Sequence, residues 1–224
     1  MLIRPWLVPS GVSYSFGPSW TDEMVPPLIL GIGGSTRPRS NTERALEVSL
    51  RAAEREGAET LLIAGPDLIL PMYDPSEAER SPGARRLVDG LRRCRGLIIA
   101  SPGYHGSISG LVKNALDYIE DLRSDERVYL DDLAVGLIAC AGGWQAAAQT
   151  LTALRTIVHS LRGWPTPLGA ALNTSARFFD EAGECLDLAA KFQLETIGRQ
   201  VVDFSRRRHG SLASAVGAEP ARPG

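Results

Sequence analysis

The sequence predicts an α/β domain in which helices cover both faces of a parallel, five-stranded sheet. Two observations support this prediction. Short runs that are apolar throughout alternate with longer amphipathic segments, and glycines and prolines separate the two kinds of segment. Strands in which apolar and polar residues do not alternate are typical of a parallel sheet buried between two layers of helices. Because 224 residues suffice for one such domain with a full core, we predict a single domain.

Five strand–helix units follow one another from residue 28 onward. In the first helix, Ala45, Leu46, Val48, Leu50 and Ala53 supply the apolar face, and Gly57 ends it. The predicted strands are 28–33 (LILGIG), 59–65 (ETLLIAG), 96–101 (GLIIAS), 133–140 (LAVGLIAC) and 166–173 (TPLGAALN), and the predicted helices are 41–57, 83–95, 108–122, 144–163 and about 184–207. This series fits a doubly wound, flavodoxin-like sheet with strand order 2-1-3-4-5.

Both ends of the chain differ from this regular pattern. Residues 1–26 have no clear period but contain Trp6, Tyr14, Phe16 and Trp20, so we predict an N-terminal arm that lies on the body or on a second subunit. The domain is predicted to span 27–207. The segment 208–224 is small, polar and contains proline, which predicts a disordered tail.

Composition argues against several classes of partner. Charged residues make up 22% of the chain and the formal net charge is −2, so no basic field attracts nucleic acid or an anionic membrane. Cys94, Cys140 and Cys185 show no CxxC spacing, which argues against a metal site or an iron–sulfur cluster and favours reduced thiols in the core. No run approaches the roughly 18 apolar residues of a membrane span. Pro5 and Pro9 interrupt the first apolar patch, so we predict a cytoplasmic protein with a small-molecule partner.

The loop 33–42, GGSTRPRSNT, joins the first strand to the first helix. Ligands of open α/β sheets bind beyond the carboxyl ends of the strands, where this loop lies. It has no Gly-Lys pair for a P-loop, and the sixth position counted from Gly31 is a threonine, which breaks the dinucleotide fingerprint. A terminal phosphate at the helix N-terminus suits the donors that remain: Ser35, Thr36, Arg37, Ser40, Asn41 and Thr42. Ser40 can also cap the helix, with Glu43 completing a capping box, and both functions are compatible.

Two further loops reach the same edge of the predicted sheet. In the loop 101–107, Pro102 restricts the chain, Gly103 and Gly106 allow close approach to a flat ligand, and Tyr104 and His105 add a planar face and a polar edge. A structural role for the tyrosine and the histidine is the alternative, and we favour ligand contact. In the loop 141–145, Gly142 and Gly143 leave room for a ring system that Trp144 borders; core packing of Trp144 is equally compatible with the sequence.

Taken in order, four segments resemble the NADPH-dependent FMN reductase family of flavodoxin-like flavoproteins, which includes azoreductases and quinone reductases. They are GIGGSTRPRSNTERAL, LPMYD, SPGYHGSISGLVKNALDYIEDL and AGGWQAAAQTLTALRTIVHSL, within residues 28–173. Family members are usually dimers or tetramers with the flavin near an interface, which implies a homodimer or homotetramer here.

The resemblance also implies roles for individual residues. Ser35, Arg37, Ser40 and Asn41 would hold the FMN phosphate. The ring would be lined by Pro102, Tyr104, His105, Gly106 and Ser107, with Gly142 and Gly143 closing the other edge. Thr36 stands where the family often has an apolar residue. Many relatives carry glutamate at the position of Gly103 and asparagine at that of His105.

These implied sites predict an FMN-dependent oxidoreductase that passes hydride from NADPH to a small acceptor, such as free flavin, a quinone, or an azo or nitro compound. The cofactor would perform the hydride chemistry, which accounts for the scarcity of acid and base residues in the loops. His105 or Tyr104 would be the candidate catalytic proton donors, although His105 could instead shape the pocket sterically. Two alternatives stay open: a flavodoxin-like electron-transfer protein, and a flavin-dependent dehydrogenase acting on one biosynthetic small molecule.

Overall fold

A computed structural model of the chain describes residues 25–175 and 177–216. Its strands form one sheet of order β2-β1-β3-β5-β6, with β7 continuing the edge beside β5 and β4 pairing with β3. The strands are β1 (Leu28–Gly33), β2 (Glu59–Ala64), β3 (Gly96–Tyr104), β4 (Ser107–Ile108), β5 (Ala134–Ala141), β6 (Trp164–Pro165) and β7 (Ala170–Asn173). All pairs except β3–β4 are parallel, so the predicted doubly wound fold and strand order are confirmed.

Helices cover both faces of this sheet. They are α1 (Asn41–Arg55), α2 (Pro82–Arg93), α3 (Gly110–Asp117), α4 (Trp144–Ser160) and α5 (Leu188–Val216). The side chains of α1 and α5 pack on one face of the central strands, and those of α2, α3 and α4 pack on the other. The central strands are buried on both faces, which explains why they read as uninterrupted apolar runs.

The fifth strand differs from its predicted form. Instead of one strand over 166–173, the edge contains β6, which pairs with the start of β5, and β7, which pairs with its end. The N–H of Thr166 still donates to the carbonyl of Val135 on β5 at 3.0 Å. The chain then leaves the ladder, since Pro167 has no N–H to donate and the N–H of Leu168 bonds to the side chain of Gln200 at 3.3 Å. The predicted strand was therefore correct for its second half and wrong for 166–169.

Two helices also depart from their predicted bounds. The segment 108–122 is not one helix, because Ile108 belongs to β4, α3 begins only after the cap Ser109, and 118–122 form a 3₁₀ turn. The last helix begins at Leu188, since a hairpin occupies the preceding residues, and it continues to Val216. The first residues of the predicted tail 208–224 are thus helical, and 217–224 lie outside the described residues. Of the predicted arm 1–26, only Val25 and Pro26 are described.

The three cysteines are buried and unpaired. Within 25–175 and 177–216, no helix has both the length and the apolar character needed to cross a bilayer.

An ion pair fixes the long connection between β2 and α2. Arg80 donates two hydrogen bonds to Asp121, from Nε at 2.8 Å and from Nη2 at 2.7 Å. Its guanidinium also lies 4.9 Å from the ring centre of Tyr73 and 5.5 Å from that of Tyr118. The bonds from Arg80 hold the pKa of the Asp121 carboxyl below its usual range, so the pair stabilises the fold while the carboxylate is charged.

Replacing Asp121 with asparagine should lower the free energy of unfolding by about 2 kcal/mol at neutral pH, since a charged hydrogen-bonded partner is lost. The folded pKa of Asp121 lies below the unfolded value of 3.8, so this contribution is present above pH 4 and is lost as the pH falls through the folded pKa. Urea unfolding of the wild type and of Asp121→Asn between pH 7 and pH 2.5 should show two stabilities that converge in acid. Asp117→Asn is the matched control, because its pair with Lys113 is exposed and contributes little. A constant difference across this pH range would contradict the prediction.

Candidate functional site

A cleft of about 190 Å³ opens at the carboxyl ends of the central strands. It lies where the strand order reverses, since β1 has β2 on one side and β3 on the other. Its lining comes from four connections: Ser35, Arg37, Ser40, Asn41, Thr42, Pro102, Gly103, Tyr104, Cys140, Ala141, Gly142 and Thr174.

Close contacts between neighbouring strands bring these connections together. The N–H of Gly34 donates to the carbonyl of Ala100 at 3.2 Å, which ties the first loop to β3. A side chain at Gly33 would meet that same carbonyl at 2.2 Å, so only glycine permits this approach. On the other side, the N–H of Thr174 donates to the carbonyl of Ala141 at 2.7 Å and brings the end of β7 to the cleft.

The first loop ends in a capped helix. Ser40 is almost fully buried, and its hydroxyl accepts a hydrogen bond from the N–H of Glu43 at 3.2 Å. The carboxylate of Glu43 accepts from the N–H of Arg39 at 3.0 Å rather than from that of Ser40, so the reciprocal capping box is shifted by one residue. The predicted capping function of Ser40 is therefore confirmed, and its hydroxyl proton remains available to a ligand.

Donors without protein acceptors face the cleft from this loop. The N–H groups of Asn41 and Thr42 belong to the first turn of α1 and have no acceptor within the helix. Across the described part of the chain, no hydrogen bond or ion pair engages the guanidinium of Arg37. No aspartate or glutamate is among the described residues that line the cleft. The cleft thus offers positive charge and N–H donors with no carboxylate to compete for them.

The floor of the cleft is uncharged. Cys140 lies at the end of β5 and burial raises the pKa of its thiol to about 12, so the sulfur is neutral at physiological pH. The hydroxyl of the buried Thr42 hydrogen-bonds this thiol and offsets a small part of the shift. No thiolate therefore repels an anion bound above it.

The second loop is a tight β-hairpin rather than an open loop. Tyr104 at the end of β3 pairs with Ser107 of β4, and only His105 and Gly106 form the turn. Both turn residues have positive φ, 49° at His105 and 87° at Gly106, as a type I′ turn requires. Tyr104 lines the cleft with 54% of its surface exposed, whereas His105, Gly106 and Ser107 are exposed and lie outside the lining.

Ser101 holds the base of this hairpin and was not identified from the sequence. It is fully buried, and its hydroxyl donates to the carbonyl of Pro102 at 2.9 Å and accepts from the N–H of Ser109 at 3.0 Å. The bond from Ser109 ties the residue that follows β4 to β3, below the turn. A serine at the end of an apolar run carries no signal for such a role.

Thr150 explains the glycine at position 103. A side chain at Gly103 would lie 2.4 Å from the hydroxyl of Thr150, which is fully buried on α4. That hydroxyl already bonds the carbonyl of Ala146 at 2.8 Å and cannot move away freely. Gly103 thus lets α4 pack closely beneath the hairpin, and a side chain as large as glutamate would not fit beside this threonine.

The third loop leaves open space above the cleft. A side chain added at Gly142 or Gly143 would meet no atom within 4 Å. Trp144 begins α4 with 65% of its surface exposed, so the alternative that it packs in the core is wrong. Only Gly142 of these three residues is part of the lining.

The structure therefore brings most of the predicted site residues to one cleft and leaves the others at its rim or beyond. The predicted residues outside the lining are Thr36, His105, Gly106, Ser107, Gly143 and Trp144. Cys140, Ala141 and Thr174 line it without having been predicted. All three lie at the carboxyl ends of predicted strands, so the rule that places ligands there could have identified them.

Comparison with known proteins agrees with this geometry. The model of the NADPH-dependent FMN reductase family matches residues 27–176, which is more than half of the chain. Among curated proteins, an FMN-dependent NADPH-azoreductase of Staphylococcus aureus is 40% identical over 110 residues, covering 48% of this chain and 55% of the relative. This chain thus aligns with about half the length of that relative.

Solved structures show the same fold. The flavoenzyme NAD(P)H:(acceptor) oxidoreductase from Paracoccus denitrificans is similar with a TM-score of 0.68 and 20% identity, over 81% of this chain and 98% of that one. The apo form of an NADH:FMN oxidoreductase is similar with a TM-score of 0.57 and 21% identity, over 87% of this chain and 92% of that one. At such identities the likeness shows the fold alone.

Proposed function

Because this chain belongs to the NADPH-dependent FMN reductase family, we propose that it is an oxidoreductase that binds FMN in the cleft and uses NADPH to reduce a small acceptor. One observation carries the proposal: among residues 25–175 and 177–216, the guanidinium of Arg37 and the first N–H groups of α1 have no protein partner, and they meet in a cleft whose described lining contains no carboxylate. This donor set suits a dianionic phosphate.

The first loop would hold the phosphate of FMN. Arg37 supplies a forked cation that can bond two phosphate oxygens, and Asn41 and Thr42 present backbone N–H groups at the positive end of α1. Ser40 can donate its hydroxyl proton, since the bond that it accepts leaves that proton available. The hydroxyl of Ser35 donates weakly to the carbonyl of Arg37 at 3.5 Å, and it would exchange this long bond for one to a phosphate oxygen. Thr36 is exposed beside them and does not line the cleft.

The other loops would border the ring. Pro102, Gly103, Tyr104 and Gly142 line the cleft beyond the phosphate loop, and the exposed Trp144 stands at its rim. Bound FMN supplies the acceptance and donation of hydride, chemistry that no side chain of the protein can perform. The residues of the chain bind and orient the ring, and backbone N–H groups of the glycine-rich loops can stabilise negative charge that develops on it.

His105 and Tyr104 are proposed to act on the acceptor. Both are exposed at the hairpin, and either can donate a proton to a reduced quinone oxygen or azo nitrogen. Because His105 lies outside the lining, it would contact only a ligand that extends past the cleft. Turnover of His105→Ala that equals the wild type on every acceptor would rule out proton donation by this residue and leave Tyr104 as the candidate.

The reaction with NADPH tests the proposed function. The protein reconstituted with FMN should be yellow, and anaerobic NADPH should bleach it in a single-turnover mixing experiment. Subsequent addition of a quinone or an azo dye should restore the colour. A flavin-bound protein that only a partner protein can reduce would instead be an electron carrier, and one that only a specific organic substrate bleaches would be a dehydrogenase. A protein that binds no FMN would refute the proposal.

We further propose that two or more copies of the chain assemble and that the protein acts in the cytoplasm. Tyr104 and Trp144 expose large aromatic surfaces beside the cleft, which a second copy could cover. The three buried, unpaired cysteines are compatible with a reducing compartment. Analytical ultracentrifugation tests the assembly, and a monomer at micromolar concentration with FMN bound would contradict it.

A further inference from the structure

The phosphate loop of the candidate site, residues 34–40, is attached to a hairpin that follows β7. We propose that this hairpin, residues 178–186, positions the phosphate loop, and that Arg39 sets the affinity for the FMN phosphate although it lies outside the cleft. The inference rests on the proposed function, since it concerns the same phosphate site. It assigns a role to Arg39, to Gly183 and to a segment that does not line the cleft.

The 178–186 hairpin is a well-braced element. The N–H of Leu186 donates to the carbonyl of Phe178 at 2.8 Å and closes it, and the N–H of Glu184 donates to the carboxylate of Asp180 at 2.8 Å. Phe178 is buried in the core between the sheet and α5. The turn depends on Gly183, whose φ of 93° is unfavourable for any other residue. The hairpin can therefore serve as a fixed support.

Two arginines join this hairpin to the start of α1. Nη2 of Arg39 donates to the carbonyl of Glu181 at 3.0 Å, and Nη1 of Arg44 donates to the carbonyl of Asp180 at 2.8 Å. Neither arginine forms an ion pair with a carboxylate in the described part of the chain. Both acceptors are neutral carbonyls, so the contacts fix the geometry while the positive charges remain beside the phosphate site.

The backbone of Arg39 shows why the loop needs this support. Its φ of 54° lies in the left-handed region, which costs a residue with a side chain on the order of 1 kcal/mol. This conformation sets the direction of the chain between Arg37 and Ser40, both of which line the cleft. Residues 36–39 are exposed, and the bond from the N–H of Arg39 to the carboxylate of Glu43 is another contact that holds this residue. Without the bond to the hairpin, the loop would be less ordered, and the ligand would have to order it at a cost in affinity.

Two substitutions separate this role from a simple loss of charge. Arg39→Gly removes the guanidinium but allows the left-handed backbone without strain. Gly183→Ala keeps every charge but disfavours the turn, and its added methyl group would lie 3.8 Å from the guanidinium of Arg39. Arg51→Ala is the control, since it also removes one cation from α1. The side chain of Arg51 is partly exposed and forms a weak ion pair with Glu47 at 3.8 Å, so its loss should have little effect.

Fluorescence titration with FMN and with riboflavin tests the proposal, because riboflavin lacks only the phosphate. Arg39→Gly should bind FMN about fivefold more weakly and riboflavin as the wild type does. The loss is smaller than that of a direct charged bond to the phosphate, because the bond from Arg39 orders the loop and does not contact the ligand. Gly183→Ala should change FMN affinity in the same direction, and the double variant should lose no more than the larger single effect, since both break one contact. Arg51→Ala should retain both affinities.

Three results would overturn the inference: wild-type FMN affinity in both single variants, equal losses for FMN and riboflavin, or effects that multiply in the double variant. Each of these would leave the proposed function intact, since the wild type would still bind FMN. A wild-type protein that binds neither flavin would refute the proposed function itself and the positioning role with it.

Discussion

Replacing Gly198 with alanine is expected to destabilise the fold by about 2 kcal/mol, although alanine is the better helix former. Helix propensity alone would favour alanine by about 1 kcal/mol. At this position, however, the new methyl carbon would lie 2.2 Å from the carbonyl oxygen of Ser49 and 3.0 Å from Cβ of Ala52. Since the nearest atom belongs to the backbone of α1, the two helices would have to separate, and such overpacking costs about 3 kcal/mol.

The same helix crossing contains a buried hydrogen bond that separation would strain. The hydroxyl of Ser49 donates to the carbonyl of Leu194 on α5 at 2.8 Å. Urea unfolding measures the effect, and Gly110→Ala is the matched control because a methyl group there meets no atom within 4 Å. We expect the control to be neutral or slightly stabilising. A Gly198→Ala variant as stable as the wild type would show that α1 and α5 can separate without a loss of stability, which would contradict the prediction.

Replacing Arg37 with alanine is expected to weaken FMN binding about thirtyfold while leaving the fold intact. A charged hydrogen bond contributes about 2 kcal/mol, and each 1.4 kcal/mol corresponds to about a tenfold change in affinity. Arg37 is exposed and its guanidinium has no partner in the described part of the chain, so its removal breaks no protein contact. The loss should therefore appear in affinity and not in thermal stability.

Titration with FMN and riboflavin measures this effect as well, with Arg51→Ala as the control for the loss of one positive charge. The affinity of Arg37→Ala for riboflavin should match that of the wild type, because only the phosphate contacts the missing cation. The salt dependence of FMN binding should also become shallower. If Arg37→Ala retains flavin as the wild type does, the assignment of the phosphate to this loop is wrong.

Much of the fold could be predicted because its pattern is local. Strands such as 96–101 are apolar on both faces, which indicates a sheet that is covered by helices on both sides. Because helices also separate the strands along the chain, the sheet is predicted to be parallel. Chain order then determines which strand ends meet at the point of reversal, and the loops after β1, β3 and β5 do form one cleft. The predicted bounds were wrong where one element gives way to another within a few residues. This happens at Pro167, where the edge strand is interrupted, and at Ile108, which belongs to β4 and not to the following helix.

For the phosphate loop too, the sequence predicted one part of the site and the structure was needed for the rest. The composition of residues 33–42 predicts an anion site, since hydroxyls, two arginines and helix N–H groups occur together in these ten residues. Which donors remain available depends on bonds that the composition does not show. Ser40 accepts from its own helix, Arg39 is directed to Glu181, 142 positions away in the chain, and the guanidinium of Arg37 has no partner among the residues that the structure describes.

By itself, the sequence determined the class of fold, the order of the strands and the loops that meet at the ligand edge, because these follow from the succession of wholly apolar strands and amphipathic helices along the chain. Only the tertiary structure decided that His105 turns outward on a type I′ hairpin, that Thr150 fills the space beside Gly103, and that Arg39 bonds to the 178–186 hairpin. The second and the third depend on contacts between residues distant in the chain, and such contacts exist only after the helices have packed on the sheet. The turn at His105 is local, but which of its residues line the cleft depends on how the loops meet.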